Sequence, residues 1–218
     1  DLFIWIDGSG SMKGTPLDSA VQTAAILNEA SRGKDMHINV FIGVWGSTKP
    51  PVIVTPDMQK QDVGRALEAA KNGLHSVTDM APIFDVTAKT IAEYRGKNQQ
   101  LSGFTHMMVV SDGDIGDEAK SRTQIETLFR ANDMVTLDVA VLKKKQHSSM
   151  IKAVEGIKGA KPWQDVTVTV EGDANKIPFS MANALLNKIR KCGSFTAVPV
   201  SKKKSDMRKA SHRMNKKK

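Results

Sequence analysis

The sequence predicts a doubly wound α/β fold with a mostly parallel sheet. Short apolar runs alternate with longer segments of helical periodicity, which is the pattern of strands joined by crossover helices. The run 104–110 contains almost no polar residue, as is typical of a parallel strand covered on both faces. A length of 218 residues suits one domain with a sizeable core. We therefore expect a six-stranded sheet with helices on both faces and a short antiparallel edge strand.

The predicted strands are apolar runs, and turn residues flank several of them. In chain order they are residues 2–6, 38–45, 52–55, 104–110, 134–142 and 166–170. The third strand lies between Pro51 and Pro56, and proline cannot donate to a ladder, so this strand is expected at a sheet edge. The predicted helices are residues 16–32, 61–71, 82–94, 119–131, 148–157 and 174–191. At the first helix, Thr15 is expected to be the N-cap and Pro16 the first helical residue.

The positive charge of the chain is concentrated at its C-terminal end. The net charge is +9, and residues 201–218 contain nine Lys or Arg against one Asp, a net charge of +8. This segment lacks apolar periodicity, so we expect a domain at 1–198 and a basic, disordered tail at 199–218.

Several classes of protein are excluded by composition. No apolar stretch approaches the roughly 18 to 20 residues that a membrane-spanning helix needs, and the N-terminus does not resemble a signal peptide. The single cysteine, Cys192, excludes an internal disulfide and a cysteine-based zinc cluster. A soluble protein without a membrane partner is therefore expected.

Polar side chains follow two of the predicted strands. Asp7, Ser9 and Ser11 come directly after the first strand, and Asp112 follows the strand that ends at Val110. Carboxylate and hydroxyl oxygens suit a hard divalent cation, and ligands in such sheets bind beyond the carboxyl ends of the strands. If these two strands are neighbours, their loops meet at one crevice. The sequence therefore predicts a metal site there.

These residues, together with Thr78 in the loop before Pro82, resemble the metal-ion-dependent adhesion site of von Willebrand factor type A domains. The pattern in that family is Asp-x-Ser-x-Ser, then a distant Thr, then a distant Asp, and the resemblance covers about residues 1–198. It implies that the metal ligands are Asp7, Ser9, Ser11, Thr78 and Asp112. It also implies that Mg²⁺, or else Mn²⁺ or Ca²⁺, is bound, that the hydroxyls ligate directly, and that the aspartates often act through water.

Each part of this pattern also has a simpler interpretation. The string Asp-Gly-Ser-Gly-Ser is a common flexible turn, Thr78 fits a helix cap, and Asp112 fits a turn before glycine.

Other known functional motifs fit these residues less well. Lys13 stands where a dinucleotide fingerprint needs glycine, the Asp-x-Asp of aspartate-nucleophile phosphatases is broken by Ser9, and Gly116 breaks a calcium loop that would begin at Asp112. There is no P-loop and no nucleophile elbow, so no enzymatic activity is expected.

The expected function is a metal-dependent interaction module that captures an Asp or Glu of a protein partner. Because the chain lacks adhesion-type cysteines, a cytoplasmic location is expected. The stretches 7–14 and 78–82 are most similar to the intracellular bacterial or phage type, which often works beside an AAA+ ATPase of the MoxR class, as in metal-chelatase complexes. The alternative is a nucleic-acid-associated adaptor whose tail contacts the phosphates of DNA or RNA. A merely solvated tail is the third interpretation.

Overall fold

The computed structural model describes residues 1–32, 38–46, 52–72, 78–96, 104–142 and 148–196. The chain divides into two units, Asp1–Ala182 and Asn183–Lys218. The first unit contains the sheet and every polar side chain discussed below. The boundary expected at residue 198 and the basic tail lie outside the described residues.

The described strands form one six-stranded sheet. They are β1 (Leu2–Asp7), β2 (Val40–Trp45), β3 (Val52–Val54), β4 (Thr105–Ser111), β5 (Val135–Val141) and β6 (Val166–Val170). Their order is β3-β2-β1-β4-β5-β6. Neighbouring strands are parallel except β2 and β3, which are antiparallel. The predicted fold class is confirmed, including the short edge strand next to the prolines.

Helices connect the strands as the crossover pattern requires. They are α1 (Thr15–Ser31), α2 (Lys60–Asn72), α3 (Ala81–Gly96), α4 (Glu118–Ala131), α5 (Ser149–Val154) and α6 (Ile177–Thr196). The predicted N-cap of α1 is wrong by one residue, because Thr15 is already helical and Gly14 is the cap. Gly14 has φ of 89°, a region that favours glycine, so the chain turns there and not at the threonine. Within the described ranges, no helix combines the length and apolar character that a bilayer-spanning helix needs.

Both faces of the sheet are covered. Phe3 and Trp5 on one face of β1 belong to a core cluster that includes side chains of α3, α4 and α5. Ile4 and Ile6 on the other face are equally buried, and α1 contacts β1 and β2. Side chains of adjacent strand residues point to opposite faces, so a strand buried on both faces must be almost wholly apolar. This explains why β1 is apolar up to its last residue, Asp7.

Candidate metal site

The candidate site lies at the carboxyl ends of β1 and β4. These strands are parallel neighbours in the middle of the sheet, with Ile6 in register with Val110. From β1 the chain passes to β2 on one side, whereas β4 lies on the other side, so the strand order changes direction between them. Such switch points leave a crevice beyond the strand ends. The crevice holds Asp7 at the end of β1 and Ser111 with Asp112 at the end of β4.

Asp7 is held rigidly, and its side chain is completely buried. Its Oδ1 accepts a hydrogen bond from the Ser9 backbone N–H at 2.8 Å. Its Oδ2 accepts a hydrogen bond from the Ser111 hydroxyl at 2.6 Å. Each carboxylate oxygen therefore has at least one donor, and an ionised carboxylate has about four acceptor positions in all.

Burial raises the pKa of the Asp7 carboxyl above its ordinary value, and the negative charge of Asp112 raises it further. Hydrogen bonds from Ser111 and Ser9 oppose this rise by stabilising the carboxylate. Among the described residues, no Lys, Arg or His lies within salt-bridge distance of Asp7. Two buried carboxylates thus lie close enough to interact, and Asp7 has hydroxyl and amide donors where a buried charge normally has a cation.

The two predicted serine ligands lie together in the loop after β1. Gly10–Met12 forms a single 3-10 turn, and the fully buried Met12 side chain anchors its end. This turn brings the hydroxyl oxygens of Ser9 and Ser11 to 3.0 Å from one another. Ser9 is buried and Ser11 is exposed. The loop therefore presents two neighbouring hydroxyl oxygens, one of them accessible to a partner.

Asp112 is buried and begins a tightly held segment, residues 112–116. The next residue, Gly113, has φ of 99°, and a Cβ there would come within 2.6 Å of the Ser148 hydroxyl and 2.7 Å of the Val141 side chain. The Gly113 N–H donates to the Ser111 hydroxyl at 3.1 Å. Because that hydroxyl also donates to Asp7, one serine connects the two carboxylate loops.

Thr78 is placed beside this segment through its backbone. Its carbonyl accepts a hydrogen bond from the Gly116 N–H at 2.9 Å. At the start of α3, the Asp79 Oδ1 accepts a hydrogen bond from the Ala81 N–H at 3.0 Å. Asp79 also pairs with Lys120 at 2.8 Å. The capping role considered for Thr78 thus belongs to its neighbour.

The sequence-predicted residues are brought together to different degrees. Asp7, Ser9 and Ser11 share direct hydrogen bonds, Asp112 interacts electrostatically with Asp7, and Thr78 is joined to segment 112–116 by a backbone bond. Ser111 was not predicted to have a role. Its only sequence signal is a hydroxyl at the end of a predicted strand, which the structure shows to be the parallel neighbour of β1.

The donor set consists of oxygen atoms. Within the described part of the chain, no three His, Cys, Asp or Glu side chains are grouped as metal ligands. Two carboxylates with serine and threonine hydroxyls remain as candidate ligands, which suits a hard cation such as Mg²⁺, Mn²⁺ or Ca²⁺ better than a soft one. The residues present therefore fit a divalent cation.

No protein-family model and no curated protein sequence matches the chain. Solved structures are similar to it in fold. Manganese-loaded TRAP protein of Plasmodium vivax is 18% identical, with a TM-score of 0.54 over 82% of this chain and 70% of that one. Proximal thread matrix protein 1 from the mussel byssus is 12% identical, with a TM-score of 0.58 over 85% of this chain and 44% of that one.

The SpRpn10 VWA domain is 11% identical, with a TM-score of 0.52 over 84% of this chain and 93% of that domain. The chain has a von Willebrand factor type A fold. This likeness concerns the fold alone, because the identities are low. The chain spans less than half of the mussel protein but nearly the whole of the SpRpn10 VWA domain.

Proposed function

We propose that this von Willebrand factor type A fold is a divalent-metal-dependent protein interaction module. The observation that carries the proposal is the buried Asp7 carboxylate, which interacts with a second buried carboxylate and has hydroxyl and amide donors in place of a cation. Buried charges in proteins are normally paired or coordinate a metal. A divalent cation between Asp7 and Asp112 would compensate both charges.

In this proposal Ser9, Ser11 and Thr78 would offer hydroxyl oxygens to the cation, and Asp7 and Asp112 would hold it directly or through water. Where the aspartates act through water, the direct protein ligands are the three neutral hydroxyls, so the cation still attracts an anionic ligand to an open position. The exposed position of Ser11 leaves that side accessible. The partner would supply an Asp or Glu carboxylate. The manganese-loaded state of the structurally similar TRAP protein supports a divalent metal as the ligand.

The finer identity of the partner follows only from the sequence resemblance. It suggests an AAA+ ATPase of the MoxR class in the cytoplasm, for which this chain would act as an adaptor without catalytic activity of its own. A chelator would then release the ATPase. The alternative, nucleic-acid binding by residues 201–218, depends on a segment outside the described residues and has no further support.

The test is calorimetric titration of the metal-free protein with Mn²⁺ and Mg²⁺. We expect saturable binding at one site in the wild type and none in Asp7→Asn. The matched control is Asp62→Asn, which removes an exposed carboxylate on α2 that pairs with Arg65 in an (i,i+3) contact of 3.6 Å. Equal affinity in Asp7→Asn and the control would reject the metal site. Capture of a purified MoxR-class ATPase with and without chelator tests the partner separately.

A further inference from the structure

Two adjacent serines tie the segment 112–116 to helix α5. Ser148, the N-cap of α5, donates its hydroxyl hydrogen to the Gly113 carbonyl. The Ser149 hydroxyl accepts a hydrogen bond from the Ile115 N–H at 2.6 Å and lies 3.1 Å from the Ile115 carbonyl. The Ser149 hydroxyl therefore forms hydrogen bonds with both the N–H and the carbonyl of Ile115. Helix α5 thus supports this half of the candidate site and contributes no candidate ligand.

The same segment leads directly to Thr78. The Ile115 side chain is buried in the main core cluster. The next residue, Gly116, donates its N–H to the Thr78 carbonyl at 2.9 Å. Asp112 and Thr78 thus lie at the two ends of one short backbone segment, and Ser149 holds its middle. A shift of Ile115 would be transmitted to both ends.

We propose that Ser149 is a positioning residue that sets the separation of Asp112 and Thr78 at the metal site. This inference rests on the proposed function. Helix α5 is a rigid support, because Met150, Ala153 and Val154 are buried in the core. Magnesium in particular demands near-ideal octahedral geometry, so a small displacement of two ligands relative to the others weakens its binding. Residues that orient metal ligands typically change affinity by about 10- to 100-fold when they are replaced.

The experiment compares Ser149→Ala with two further variants. Ser149→Thr keeps the hydroxyl and is the conservative rescue. Ser180→Ala is the matched control, because it removes a partly buried serine hydroxyl that donates to Glu171 at 2.9 Å, outside the candidate site. We expect Ser149→Ala to weaken Mn²⁺ affinity about tenfold in calorimetric titration, which is the lower end of the range for such residues. Ser149→Thr should lose much less Mn²⁺ affinity, and Ser180→Ala should bind Mn²⁺ as tightly as the wild type does.

A second readout uses the metal-free protein. Amide hydrogen exchange measured by NMR should become faster at Ile115 in Ser149→Ala, because its acceptor is lost. It should also become faster at Gly116, although the acceptor of that amide, the Thr78 carbonyl, is unchanged. A purely local structural role would affect Ile115 and leave Gly116 protected.

The outcomes separate this inference from the proposed function. If the wild type binds Mn²⁺ and Ser149→Ala binds it equally well, the positioning role is refuted. Unchanged protection of Gly116 in the metal-free variant refutes it as well. If the wild type does not bind Mn²⁺, the proposed function fails, and the exchange of Gly116 alone decides whether Ser149 holds the segment.

Discussion

Replacing Asp7 by Asn separates the folding of this protein from its proposed metal binding. Asparagine has nearly the shape of aspartate, so its Oδ1 can still accept from the Ser9 N–H. The Ser111 hydroxyl must reverse its role and accept from the new amide group, which costs about 1 kcal/mol as one typical hydrogen bond. The loss of a buried negative charge offsets part of this cost. The free energy of unfolding without metal should therefore change by no more than about 1 kcal/mol.

The effect on metal-dependent stability should be much larger. A ligand at 100 times its dissociation constant stabilises the native state by about 2.7 kcal/mol. For a chain of this size, each kcal/mol shifts the melting temperature by about 2–4 °C. The wild type should thus melt about 5–11 °C higher in saturating Mn²⁺ than in chelator. Asp7→Asn should show no such shift.

Thermal unfolding is followed by circular dichroism with chelator and with Mn²⁺ at several concentrations. It measures both the stability without metal and the metal-dependent shift of the melting temperature. Asp62→Asn should keep the full metal-dependent shift, because its carboxylate is exposed on α2. If Mn²⁺ stabilises Asp7→Asn as strongly as the wild type, Asp7 is not a ligand of the metal. If Asp7→Asn fails to fold in chelator, Asp7 is needed for the fold itself, and the expected separation of folding from metal binding is wrong.

Four further outcomes are expected. Thr78→Val should impair Mn²⁺ binding more than it lowers stability, whereas Thr78→Ser should preserve both. Equal affinity of the Val variant and the wild type for Mn²⁺ in calorimetry would exclude the Thr78 hydroxyl as a ligand. Gly113→Ala should lower the free energy of unfolding by about 1–3 kcal/mol in urea denaturation, because its φ of 99° is strained for alanine and the Cβ would crowd Ser148; an unchanged midpoint would contradict this. The folded-state pKa of Asp7 is raised above its ordinary 3.8, so the stability that protonated Asp7 contributes without metal is full below pH 3.8 and is lost as the pH rises through the raised pKa. The free energy of unfolding from urea titrations should therefore fall with pH more steeply in the wild type than in Asp7→Asn. Identical pH dependence in the two proteins would refute this. Removing residues 201–218, with their net charge of +8, should abolish salt-sensitive binding of fluorescent oligonucleotides and leave Mn²⁺ affinity intact, and a truncated chain that binds oligonucleotides equally well would dismiss a role for this segment.

Much of the fold could be predicted from the sequence because its signals are local. Alternating apolar runs and helical periodicity identify strands and helices without knowledge of any contact. The predicted strand 166–170 coincides with β6, and the fourth predicted strand differs from β4 by one residue at each end. The N-cap of α1 was wrong because a glycine in a positive-φ conformation, not a threonine hydroxyl, ends the preceding turn.

The candidate ligands could be predicted for a similar reason. A strand buried on both faces is mostly apolar, so Asp7 and Asp112, which follow the apolar runs 2–6 and 104–110, stand out in the sequence. The resemblance to a known pattern added Thr78, which no local signal separates from a helix cap. Assignment of a metal to these residues stays a prediction.

Local sequence signals are therefore enough to predict the fold class, the approximate strand ends and the oxygen-rich loops after them. Which of these loops meet, and which hydrogen bonds hold them, depends on long-range contacts. The Ser111 hydroxyl reaches Asp7 across 104 residues of chain, and Ser149 reaches Ile115 from a helix formed by a later segment. Such bonds depend on strand order and register, which place residues together whatever their separation in sequence. A serine carries the same local signal in a loop, a cap or a site, so its role is defined by the neighbour that the fold supplies.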